Sequence, residues 1–131
     1  MYILDTDTCI FWLKGSRNIG EKIKKQGFEK VFVTIITTCE LYFGAYNSQR
    51  KADNISSLDE LFTIIEVIQT TPEVAKIFGE IKARLRKDGN IINDADLLIA
   101  SIVMASNGIL ITNNIAHFNR IPGLMLENWL S

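Results

Sequence analysis

The chain has 131 residues, 47% of them hydrophobic and 22% charged, with two cysteines and a formal charge of −1. That length buries a sizeable core as one domain (1-131) without disulfides or a structural metal, and the near-neutral charge excludes a nucleic-acid binder that works through a global basic field. No apolar run approaches a membrane span, Asp5 and Asp7 interrupt any early signal-like region, and Cys9 and Cys39, lacking metal-ligand spacing, read as buried thiols in a reducing cytoplasm.

Tyr2-Ile3-Leu4 is a short apolar run that stops on Asp5, and Thr6, Asp7 and Thr8 follow it. A buried strand ending there holds the Asp5 side chain at the carboxyl edge of a sheet, where open α/β sheets place their ligands. Ile10, Phe11 and Leu13 recur at helical spacing up to Lys14-Gly15-Ser16. A second amphipathic piece carries Ile19, Ile23 and Phe28 inward and Glu21, Lys22, Lys24 and Lys25 outward. Val31-Phe32-Val33 is the next strand. Thr34 caps a helix running to about Asn47, with Glu40 in its early turns, just beyond that strand's carboxyl end.

Gln49 to Asp53 reads as a polar junction, and the helix periodicity resumes after Ser56-Ser57 through Leu58, Leu61, Phe62 and Ile65, giving an αα-hairpin. Val67-Ile68 is a short third strand. Thr71-Pro72-Glu73 is a helix start: a capping hydroxyl, proline in the first turn, and an acid that suits the dipole. Val74, Ile77, Phe78, Ile81 and Leu85 form its buried stripe, and Lys82, Arg84, Arg86 and Lys87 make its far end basic. Asn93-Asp94-Ala95-Asp96 opens a helix with almost no polar face, which must be buried on most sides. Ile109-Leu110-Ile111 is another buried strand, ending on Thr112-Asn113-Asn114, and Met125-Leu126 after the Pro122-Gly123 turn is an edge strand. Alternating strands and helices predict a three-layer α/β/α domain around a mostly parallel sheet.

In such a sheet the strand exits share one edge. That brings Asp5, Glu40 and Asp96 toward one another, with Asn114 in the same kind of position. Crowded carboxylates repel unless a divalent cation compensates. Oxygen-only ligands select a hard ion, Mg²⁺ or Mn²⁺, which activates water and neutralises phosphodiester charge. Simpler roles exist for each acid. Asp5 caps the following helix equally well, Asp7 suits a cap or a supporting position, Asp96 three residues after Asn93 fits a capping arrangement, and Asp94 and Asp96 exchange as cap and ligand. His117, the single histidine, sits in a polar loop, with a phosphate contact or general base as the sharper alternatives to a surface residue. The lysine and arginine clusters read as solvated helix faces, with an RNA-backbone patch as the sharper alternative. Trp12, Tyr42, Phe43 and Tyr46 read as core or interface. No GxGxxG follows a strand, which disfavours a dinucleotide enzyme, and the late strand lacks the lysine of a phosphoacceptor signalling domain.

Leu4-Asp5-Thr6, Thr37-Thr38-Cys39-Glu40-Leu41 with Gly44, Asp96-Leu97-Leu98-Ile99-Ala100, and Ile111-Thr112-Asn113-Asn114 with Phe118 resemble, in order and spacing, the PIN-domain proteins. The resemblance is closest to the VapC-type toxins of toxin–antitoxin pairs, and it extends to Ile121-Pro122-Gly123-Leu124 and Glu127-Asn128-Trp129. It implies a Mg²⁺- or Mn²⁺-dependent endoribonuclease whose acidic ligands fall at Asp5, Glu40 and Asp96, with Asn114 at the fourth position. It further implies tRNA or another structured RNA as substrate, a homodimer, and silencing by a VapB-like antitoxin whose tail enters the active-site groove. The alternative on the same fold is a catalytically weak binding protein under antitoxin control. Asp7 stands where the family usually carries Asn, and His117 where many relatives carry an acid.

Overall fold

The computed structural model describes residues 1–130. Its strands are Tyr2–Leu4 (β1), Val31–Thr34 (β2), Glu66–Ile68 (β3), Ile109–Ile111 (β4) and Leu126–Glu127 (β5). They form one sheet in the order β3-β2-β1-β4-β5, and every neighbouring pair is parallel. The helices are Thr6–Leu13 (α1), Arg17–Gln26 (α2), Ile35–Tyr46 (α3), Lys51–Ile64 (α4), Pro72–Lys87 (α5), Asp94–Ala105 (α6) and Ile115–Phe118 (α7).

Strand pleating sends successive side chains to opposite faces, and both faces are covered. Leu4, Val31, Val33 and Ile111 join a core with Ile19 and Ile23 of α2, Leu41 of α3 and Leu58 and Leu61 of α4. Ile3 and Leu110 point the other way, into Ile81 and Leu85 of α5, Leu97 and Val103 of α6 and Phe118 of α7. This double coverage explains why the strands read as unbroken apolar runs. The C-terminal segment closes the first core with Trp129, which is 1% exposed and tilted against Tyr2 at 5.2 Å between ring centroids.

The strand order has a functional consequence. From β1 the chain moves outward through β2 to β3, then returns to the other side of β1 for β4 and β5. The direction of winding therefore reverses between β1 and β4. In open parallel sheets such a switch point leaves a crevice beyond the strands' carboxyl ends. Asp5 and the Thr112–Asn114 segment are the two exits that flank it.

Four expectations need correction. The α4 helix begins at Lys51, because Lys51 to Asn54 form its solvent-facing first turn and their polarity is that of an exposed helix, not of a loop. Cys9 is buried as expected, but Cys39 is exposed on the outer face of α3. Phe28 lies in a 3-10 turn with 45% of its surface exposed, its ring 6.3 Å from that of Trp12. The loop expected around His117 contains the short helix α7.

Candidate functional site

Asp5 is the N-cap of α1, and its Oδ1 accepts the backbone N–H of Thr8 at 2.8 Å. Its position is pinned from the neighbouring strand: the Asp5 N–H and the Thr8 hydroxyl both donate to the Ile111 carbonyl, each at 3.0 Å. The side chain is therefore a cap and a wall of the crevice at once. Burial pushes the Asp5 carboxyl above the ordinary range; hydrogen bonds from Thr112 and Thr8 pull it back, and the charge of Asp7 adds a smaller push.

Glu40 is exposed on α3, where Oε1 accepts the Thr6 hydroxyl at 2.6 Å. Thr6 Oγ1 also lies 3.1 Å from Thr37 Oγ1. Asp96 occupies the first turn of α6. Asn93 is that helix's cap, neither Asp94 nor Asp96, and it accepts the Asp96 N–H at 2.9 Å while its own amide donates to Asp96 Oδ2 at 3.0 Å. Asp94 turns away to Lys82 at 2.9 Å. His117 is half-buried instead of a free surface residue, with Nε2 2.9 Å from Asp96 Oδ2. Asn114 directs its backbone N–H to Thr112 Oγ1 at 3.0 Å and makes no side-chain cap bond to α7, which leaves its carboxamide unspent.

Asp5, Thr6, Asp7, Glu40, Asp96 and Asn114, with the edge of Phe118, line one recess of about 90 Å³. It sits at the switch point, with the start of α6 on its rim, so the positive end of that dipole bears on it. Within the recess the acids do not close on a common point. Among the described residues no group of three or more His, Cys, Asp and Glu side chains is near enough to enclose an ion. Asp5 holds Thr8, Glu40 holds Thr6, and Asp96 holds Asn93 and His117 through one oxygen each.

The donor set nevertheless fits a hard cation in kind. Every donor on the recess wall is an oxygen or a carboxamide, and Mg²⁺ retains several waters and takes only one or two carboxylates directly. The buried Asp5 carboxylate is also a charge that a cation would compensate. Thr6 and Phe118 fall within the motif stretches noted in the sequence, but neither they nor Asn93 were assigned to the site there. The Asn93-x-x-Asp96 capping spacing was legible there, whereas the link from Thr6 to Glu40 spans 34 residues and leaves no local signal.

A parallel α/β domain with an acidic recess at its switch point defines a class, and residues 2–124 match the PIN domain. Ribonuclease VapC2 of Rickettsia felis is 36% identical over 98% of both chains, and Ribonuclease VapC2 of Haemophilus influenzae is 34% identical over the same shares. A relative from Salmonella typhimurium, named as a tRNA(fMet)-specific endonuclease VapC, is 30% identical over 98% of this chain and 97% of its own. Among solved structures, VapBC2 from Rickettsia felis bound to a promoter DNA fragment superposes with a TM-score of 0.92 at 34% identity, covering 98% of each chain. DNA-bound VapBC from Salmonella typhimurium gives 0.93 at 30%, covering 98% of this chain and 97% of that one. The chain belongs to the PIN-domain family and, within it, to the VapC ribonucleases, the toxins of VapBC toxin–antitoxin systems.

Proposed function

We propose that the recess is a Mg²⁺ or Mn²⁺ site held by Asp5, Glu40 and Asp96 with Asn114 beside it, and that the chain uses it to hydrolyse phosphodiester bonds in structured RNA, tRNA first. The observation that carries this reading is that these four residues, brought from the end of β1, the body of α3, the start of α6 and the segment after β4, line one recess at the switch point. When bound, the cation would neutralise phosphate charge and lower the pKa of a coordinated water.

The protein's own groups supply the rest. Asp5, 5% exposed, anchors the floor of the recess where water is largely excluded. Glu40, the outermost of the three acids and bonded to Thr6, is placed to accept a proton from an attacking water. Asn114 offers amide donors to a phosphate oxygen, and the first turn of α6 adds its positive dipole end to the charge that develops there. tRNA is the first substrate to test because the Salmonella typhimurium relative bears that activity in its name. A VapB-like antitoxin is the expected partner, since the solved relatives at 30% identity and above are VapBC complexes. Phe43 and Tyr46, 71% and 60% exposed on α3, provide apolar surface that an antitoxin or a second copy would cover. Among the described residues no helix is long and apolar enough to cross a membrane.

The test is cleavage of a total tRNA pool by the purified protein, with fragment ends mapped by sequencing. Cleavage requires Mg²⁺ or Mn²⁺, stops in EDTA, and falls on the order of 100-fold in Asp96→Asn, the scale of losing a charge-stabilising group. Undiminished cleavage in EDTA and in Asp96→Asn overturns the reading. The absence of a closed acid cage favours a second reading, a catalytically weak binding protein. Failure of the wild-type protein to take up Mn²⁺ in calorimetry selects it.

A further inference from the structure

Asp96 is gripped by one oxygen only. Its Oδ2 accepts both the Asn93 amide at 3.0 Å and His117 Nε2 at 2.9 Å, while no hydrogen bond among the described residues reaches Oδ1. A carboxylate oxygen can only accept, so the imidazole is the donor and carries its proton on Nε2. The ring is itself held in place. It meets Phe118 edge-on, with centroids 5.1 Å apart and planes at 76°, and Phe118 is 2% exposed and forms part of the recess wall.

The two grips on Oδ2 differ in kind. Asn93 and Asp96 belong to the same helix start, so their bond orients the carboxylate relative to α6 alone. His117 stands on α7, beyond β4, and its bond ties the start of α6 to the segment that follows β4. Asn114 precedes His117 by less than a helical turn, so the same contact sets the spacing between Asp96 and Asn114 across the recess.

We propose that His117 is a positioning residue: through Nε2–H it pins Asp96 Oδ2, so that the carboxylate turns Oδ1 alone into the recess and engages a cation through one oxygen. This rests on the recess being a Mg²⁺ or Mn²⁺ site. It differs from a ligand role, in which the imidazole nitrogen itself would meet the ion. It also differs from simple packing, which Phe118 would satisfy with any side chain of similar shape.

The chain has one histidine, so its imidazole signals are unambiguous. At about pH 8 the ¹⁵N spectrum of the full chain without metal shows the proton on Nε2. Mn²⁺ affinity by calorimetry then separates the roles. His117→Gln, whose amide nitrogen reaches the position of Nε2, retains most of the wild-type affinity. His117→Leu, its folding checked by circular dichroism and Tm, loses about 10–100-fold, the usual cost of removing a group that orients a metal ligand. A proton found on Nδ1, or a folded Leu variant that binds Mn²⁺ as tightly as wild type, overturns the proposal while leaving the metal site standing. Wild-type protein that binds no Mn²⁺ at all removes both.

Discussion

The Thr6 hydroxyl donates to Glu40 Oε1 across 2.6 Å and so ties the first turn of α1 to the middle of α3. Removing it should release the most exposed of the three acids. Thr6→Val keeps the shape of the side chain and deletes the donor; Mn²⁺ affinity and RNA cleavage should both fall about tenfold, and Thr6→Ser should restore them. Calorimetry on the three proteins checks this, and equal affinities would mean that Glu40 needs no such restraint.

Asp5 should show a trade between stability and function. Its folded-state pKa is raised above its unfolded value, chiefly by burial. The carboxyl therefore contributes stability while protonated, below about pH 4, and that contribution disappears as the pH rises through the folded value. Near neutrality the ionised group is a buried charge awaiting compensation. Asn is as good an N-cap as Asp, so Asp5→Asn without metal should melt at a higher temperature than wild type at pH 8, with the gap narrowing toward pH 4. Added Mn²⁺ should raise the Tm of wild type and not of the variant. A lower Tm for the variant at pH 8 would contradict the argument from burial.

Trp129 should matter for folding although it does not line the recess. It is 1% exposed, packs at a tilt against Tyr2 and donates its indole N–H to Glu127 Oε1 at 3.0 Å. Trp129→Ala opens a cavity beside β1 and should cost about 3–5 kcal/mol, a large part of a typical domain's stability. Urea titration followed by circular dichroism measures it.

Gly108 marks a close approach between the end of α6 and the first strand. A Cβ there would lie 2.9 Å from Ile3 Cδ1 and 3.3 Å from the Met1 carbonyl oxygen. Ile3 is fully buried and the Met1 carbonyl already accepts the Ile109 N–H at 3.0 Å, so neither moves freely. Gly108→Ala should destabilise by about 1–3 kcal/mol, read as a lower urea midpoint with an unchanged slope.

The alternation of apolar strands and amphipathic helices was enough to foresee a doubly covered parallel sheet, because covering both faces demands continuous apolar strands such as Ile109-Leu110-Ile111. That Asp5, Glu40, Asp96 and Asn114 would line one recess was also legible, since each lies in the segment that leaves a strand or opens the helix before one. Helix caps such as Thr34 and Thr71 act within three or four residues and left their mark there. Exposure was less so: the α4 start and Cys39 depend on which side of a helix meets neighbours, and a periodicity without a clear apolar stripe does not reveal that.

What only the folded chain decided is which atoms the acids hold. The residue types along the chain determine donor chemistry and local geometry, because strand pleat, helix period and capping operate over a few residues. The bonds from Thr6 to Glu40 and from His117 to Asp96 join residues 34 and 21 positions apart. They form because the parallel sheet sets β1 beside both β2 and β4, so that the segments leaving these strands meet at one edge, and such partnerships are set by packing in three dimensions.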